Sequence, residues 1–220
     1  DMLGLRRNRF VDLSHVRQVV GDSEHVAIAN RIADRGIVLV RDTNNAVPLV
    51  REGQGSRIYS LSYARRADLG AGVAFNNYLR SKSMQITNDI VISDDPGSSF
   101  TRALERARAS DIVIVSNYVN VTSETATASV DNAFTDFVRE LVRERAGAGV
   151  VVVTFGTPYL LQQIADAPSY MIAWGSHVAS QHAAARALLG EIDITATLPI
   201  SIPPLHSIGD GERRSARLTP

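Results

Sequence analysis

Short apolar-rich runs alternate along the chain with longer stretches in which apolar residues recur every three or four positions. The runs include Ile37–Val40, Arg57–Ser62, Ile90–Ile92, Asp111–Val115, Val150–Val153, Tyr170–Trp174 and Leu198–Ile202. Four consecutive valines at 150–153 leave no polar face, so that run predicts a strand buried on both sides, as a parallel sheet covered by helices requires. Phe155-Gly156 ends it, and Thr157 then offers an N-cap hydroxyl with Pro158 at the first helical position. Leu161, Ile164 and Ala165 continue that helix. Pro199 marks Leu198–Ile202 as an edge strand, because it cannot donate to a ladder.

The recurring positions predict the helices. Val26, Ala29, Ile32 and Ala33 follow the capping groups of Gly21-Asp22-Ser23 and stop at Gly36. Asp68–Arg80 can be helical. Phe100, Ala103, Leu104 and Ala107 form one apolar stripe, and Phe134, Phe137, Val138, Leu141 and Val142 form the clearest. A last helix runs from about Val178 to Leu189, capped by Gly190. Strands alternating with helices predict an α/β fold, a three-layer α/β/α sandwich around a mostly parallel sheet of about six strands. A polar loop of about 15 residues, Ser116–Val130, breaks this rhythm, and loops of that length are often functional.

Residues 1–20, with the basic run Arg6-Arg7-Asn8-Arg9, read as a connecting arm, 21–208 as the α/β domain, and 209–220 as a loose polar tail. The opening Asp1-Met2 falls inside a polar–apolar pattern, as in a piece cut from a longer protein. Lys plus Arg and Asp plus Glu both number 23, so the net charge is zero and the electrostatic footprint of a nucleic-acid binder is missing. With no cysteine, disulfides, thiolate metal sites and cysteine nucleophiles are excluded. No apolar run approaches the ~18–20 residues of a membrane span.

Four chemistries are open to residues of these types. Gly70-Ala71-Gly72 after a strand, with Asp94 further on, resembles a dinucleotide turn and would make the chain a Rossmann-like module. Phe75, however, stands where the third glycine belongs, and the turn lies too far from its strand. No P-loop is present. Trp174-Gly175-Ser176-His177 lacks the second glycine of a nucleophile elbow, and the adjacent Ser176 and His177 make a poor nucleophile–base pair. His177 and His182, five apart, are expected on different helix faces, and His15, His25 and His206 stand alone, so no metal site or cofactor is expected. Asp95 suits an N-cap. Glu124, in the long loop at the carboxyl end of the 111–115 strand, occupies the place where open α/β sheets bind ligands. Glycosidases need two carboxyl groups, and Glu124 could supply one.

Ala29–Asp42 followed by Val47-Pro48-Leu49, then Val151–Tyr159, then Ala183–Glu191 with Thr197–Pro203, resemble in order the motifs of the C-terminal domain of glycoside hydrolase family 3. Met2–Phe10 is similar to the linker that leaves that family's catalytic barrel. The resemblance implies a six-stranded α/β sandwich packed beside an N-terminal (β/α)8 barrel, with carbohydrate bound at the interdomain cleft. The barrel would carry the nucleophilic Asp of a retaining mechanism, so this piece alone would not hydrolyse glycosides. In the β-glucosidase branch the acid/base Glu comes from this domain within Glu-Gly-x-Asp-Arg. Glu124 is its counterpart, but Ser123-Glu-Thr-Ala-Thr127 departs from that pattern. The departures resemble the β-N-acetylglucosaminidase branch, where a His–Asp pair on a barrel loop transfers the proton. The likeness also implies a periplasmic or secreted protein.

Overall fold

Each valine of Val150–Thr154 (β5) is completely buried, and alternate residues feed opposite cores. Val150 and Val152 pack with Phe134, Phe137 and Leu141, whereas Val151 and Val153 pack with Phe75, Leu188 and Met171. The computed structural model describes residues 10, 12–49, 56–68, 70–82, 85–93, 98–119, 130–145 and 149–217. The basic run 6–9, part of the 53–56 turn, Asp94–Gly97, Gly147 and Glu124 lie outside them.

Beside β5 the sheet contains β1 (Val38–Asp42), β2 (Arg57–Ala64), β3 (Gln85–Ile92), β4 (Ile112–Asn117) and β6 (Ser169–Ile172). The order is β1-β6-β5-β4-β2-β3. All neighbours are parallel except β1, which runs antiparallel to β6 at one edge. Helices α4 (Ser98–Arg108) and α5 (Asn132–Glu144) cover one face. Helices α3 (Val73–Ser81) and α6 (Val178–Leu189) cover the other. The expected three-layer α/β/α sandwich is therefore present.

Local signals explain several boundaries. Asp131 accepts from the Phe134 amide at 2.8 Å and starts α5. Gly190 stops α6 in the left-handed region at φ 73°, where glycine carries no Cβ penalty. Thr157 caps Tyr159 at 3.3 Å as expected, but the helix it starts is only a single 3-10 turn, Pro158–Gln162.

Four expectations need correction. The arm holds a short helix α1 (Leu13–Val19), started by Asp12, which accepts from the Ser14 amide. Helix α2 (Ser23–Gly36) forms where its periodicity predicts, yet none of its residues is buried. It rides outside α6, tied by Arg186 to Asp34 at 3.0 Å, with Val26, Ile28 and Ile32 exposed. Leu198–Ile202 is no strand. Leu198 and Ile202 are buried in the α5-side core while the backbone turns back on itself, the Gly209 amide donating to the Leu198 carbonyl.

The tail is not loose through residue 217. The Glu212 amide donates to the Leu39 carbonyl at 2.7 Å, and Arg214 exchanges two backbone hydrogen bonds with Ile194. Arg214 reaches Asp42 at 2.9 Å and Glu212 at 2.7 Å. Asp42, 2% exposed, also accepts from the Ala46 and Val47 amides and from the Ser169 hydroxyl. Its charge is tolerated in the interior because so many donors surround it.

Replacing Arg214 with Met should strand that carboxylate and lower unfolding stability by about 3 kcal/mol. Ending the chain at residue 208 should cost at least as much. Urea denaturation measures both, and an unchanged midpoint for the truncated chain would mean the tail contributes nothing.

Candidate functional site at the carboxyl edge of the sheet

Because β2, β4, β5 and β6 are parallel, their carboxyl ends share one edge of the sheet. From β2 the chain crosses through α3 to β3 on one side, and β4 then lies on the other side of β2. The segments after β2 and β4 diverge at this switch in strand order, where open α/β sheets hold ligands.

The loop containing Glu124 leaves and returns here. At its departure Asn117 brackets Val119, accepting from its amide at 3.1 Å and donating to its carbonyl at 3.3 Å. At its return Tyr63 donates to Asp131 at 2.6 Å, and the Tyr63 ring stacks on Phe134 with centroids 4.3 Å apart. Both ends of the loop are thus fixed to β2, β4 and α5.

Next to it an open cleft of ≈ 580 Å³ separates the start of α3 from the start of α6. Gly70, Ala71, Tyr118, His177, Gln181 and His182 are among its walls, and Asp68 is the one carboxylate lining it among the described residues. Gln181, 3% exposed, holds the cleft together. It accepts from the Phe75 amide at 3.1 Å and donates to the Ser176 carbonyl at 2.8 Å. Tyr118 is buried with its ring stacked on Phe155 at 4.5 Å, and burial pushes its phenol far above the usual range. It therefore stays protonated and neutral. Sequence patterning missed both residues, although Gln181 interrupting an alanine-rich helix was a legible signal.

The dinucleotide reading of Gly70–Gly72 does not survive this geometry. Gly72 sits at φ 75°, and a Cβ there would lie 2.1 Å from the Ser62 hydroxyl, so packing against β2 demands the glycine. The Val73 amide is taken by the Gly70 carbonyl and the Phe75 amide by Gln181, so α3 does not present these donors to a phosphate. Phe75 fills the core against Phe155. Asp94 lies outside the described residues.

His177 and His182 line the same cleft, contrary to the expectation of separate faces. His177 is the N-cap residue of α6, with extended backbone, so helical spacing does not govern it. Among the described residues no three His, Cys, Asp or Glu side chains gather as metal ligands. Ser176 and His177 do share the cleft, but Ser176 contributes its carbonyl to Gln181. His206 is not isolated, lying 3.2 Å from Asp210 and 3.4 Å from Arg41. Among the described residues no helix is long and apolar enough to cross a membrane.

Gly72→Ala should cost about 2–4 kcal/mol in unfolding experiments, through the left-handed backbone and the Ser62 contact. Burial, and secondarily Arg186, hold the His182 imidazole below its ordinary pKa. Protonation thus favours the unfolded chain, and His182 should erode stability as pH falls through the histidine range. NMR titration of its ring should show the low value, and Arg186→Gln should raise it only partway because burial remains.

The sequence profile of the glycosyl hydrolase family 3 C-terminal domain matches residues 37–215. No curated protein matches the chain by sequence. Among solved structures, a fungal multi-domain family 3 β-N-acetylglucosaminidase with a GCN5-related glucosamine N-acetyltransferase region superposes with a TM-score of 0.65 at 21% identity, over 90% of this chain and 21% of that one. A family 3 β-N-acetylglucosaminidase from Paenibacillus sp. str. FPU-7 gives 0.71 at 16% identity, over 90% and 36%. A β-glucosidase from Erythrobacter marinus gives 0.69 at 15%, over 90% and 33%. These chains share the fold, and this one spans only about a fifth to a third of their length. The cover of both sheet faces, the switch in strand order and the profile match agree that the chain belongs to the glycosyl hydrolase family 3 C-terminal domains.

Proposed function

We propose that the chain is the accessory domain of a retaining family 3 glycoside hydrolase of the β-N-acetylhexosaminidase type, working against an N-terminal (β/α)8 barrel. The observation that carries this reading is the single carboxylate, Asp68, among the described residues lining the carboxyl-edge cleft. Hydrolysis of a glycoside takes two carboxyl groups, or an equivalent acid and nucleophile, on either side of the scissile bond. In this reading a second body brings the nucleophile and the proton donor, and the sandwich closes the cleft around the sugar.

The hexosaminidase type is supported by the wording Phe155-Gly-Thr-Pro-Tyr159 and by Ser123-Glu-Thr-Ala-Thr127 in place of Glu-Gly-x-Asp-Arg. Two of the similar structures are of β-N-acetylglucosaminidases. The β-glucosidase alternative, with Glu124 as acid/base, draws on the similarity to β-glucosidases.

The isolated chain should not turn over chromogenic N-acetylglucosaminides or glucosides. Joined to its barrel, it should prefer the N-acetylglucosaminide, and Glu124→Gln should leave the rate nearly unchanged. A loss of about 10²–10⁴-fold, rescued by azide, would instead make Glu124 the acid/base and select the β-glucosidase reading. Turnover by the isolated chain would overturn both.

A further inference from the structure

On the α3 side of the sheet, buried polar atoms collect without hydrogen-bond partners. They are the hydroxyls of Ser60, Ser62 and Ser116 and the Asn76 Oδ1. Ser60 and Ser62 project to one face of β2 while Tyr59, Leu61 and Tyr63 project to the other. Ser116 stands beside Ser62 in register, and Asn76 lies above them on α3. Folded proteins leave few such atoms unpaired, and a local group of them marks a place where something else supplies the hydrogen bonds.

Ser62 and Asn76, 1% and 3% exposed, are among the walls of a second cleft, of ≈ 260 Å³, between α3 and the edge strand β3. Its other polar side chains include Asn77, Arg80 and Asn88. Arg80 donates to the Oδ1 atoms of Asn77 and Asn88, which leaves their NH2 groups as donors. Asn76 donates to the Gly72 carbonyl at 2.8 Å, which leaves its Oδ1 as an acceptor. The Asp89 carboxylate is engaged with Tyr59 at 2.9 Å and with Arg106.

A phosphate or carboxylate would bring no proton to the Asn76 Oδ1, and a bare cation would meet mostly donors. A hydroxyl both donates and accepts, so it answers Asn76 and Ser62 on one side and the Asn77 and Asn88 amides on the other. We infer that the cleft between α3 and β3 binds a small neutral polyhydroxylated molecule, one sugar ring or polyol in size. Its volume falls just under the ~300–1,000 Å³ of drug-sized sites, which sets that limit. The site lies wholly within this chain and does not depend on the presence of a barrel.

The test is a titration of the ¹⁵N-labelled 220-residue chain with glucose, N-acetylglucosamine, glycerol and inorganic phosphate. It follows the side-chain amides of Asn76, Asn77 and Asn88 and the backbone amide of Gly72. A saturable shift with a sugar or glycerol is expected, weakened about tenfold by Ser62→Ala, which removes one small hydroxyl and should preserve the fold. No saturable shift, a shift with phosphate alone, or binding indifferent to Ser62→Ala would each overturn the assignment. Thermal melting adds an independent reading. If Ser62→Ala raises the melting temperature without altering any titration, the hydroxyl is merely buried and serves no ligand.

Discussion

The double burial of β4 and β5 is the constraint on which the other layers depend. Apart from the Ser116, Asn117 and Thr154 positions at their carboxyl ends, these strands present hydrocarbon to both faces. Each fully buried valine contributes ~1.5–3 kcal/mol. The four valines of β5 together rival the whole net stability of a domain, ~5–15 kcal/mol. Such strands cannot lie at a surface, so helices must cover both sides, and helical crossovers in turn make the strands parallel. Parallel strands put every carboxyl end on one edge. The polar residues that end β4 and β5 stand at that edge, which is where the loop of Glu124 is anchored and where the larger cleft opens.

Asp42 shows a different economy. It ends β1 and joins the turn at 46–47, the start of β6 and the tail through one carboxylate. A buried ion pair of this sort fixes geometry more than it adds stability over an apolar alternative, while losing one partner is costly. The exposed pairs Arg139–Asp136 and Arg143–Glu140 carry no such consequence, being screened by water. Arg214 matters because of where it ends, not because it is charged.

That contrast explains how much was legible in the chain itself. Helix α5 was readable from its strong periodicity, α6 from its closing Gly190, and strands β4 and β5 from their unbroken apolar runs, all of them local signals. The tail was not, since Glu212 and Arg214 look like ordinary surface residues until β1 is beside them. Leu198–Ile202 contributes its two apolar residues to the core without pairing as a strand, a distinction that periodicity cannot draw. Helix α2 has the spacing of a core helix, yet α6 already fills the space against the sheet. At the site, Gly72 was visible as a special glycine, but only the Ser62 contact reveals that it serves packing instead of phosphate. Separation by helical spacing failed for His177 because that residue stands one position before the helix begins.

The carboxyl edge therefore supplies a rigid frame on either side of residues 120–129. Asn117 and the Tyr63–Asp131 hydrogen bond fix Val119 and Val130, so any group carried between them starts from two set points on β2, β4 and α5. A scaffold of this kind keeps its fold whatever residues the loop displays. Shared fold thus leaves the chemistry of the complete enzyme to residues outside the sheet.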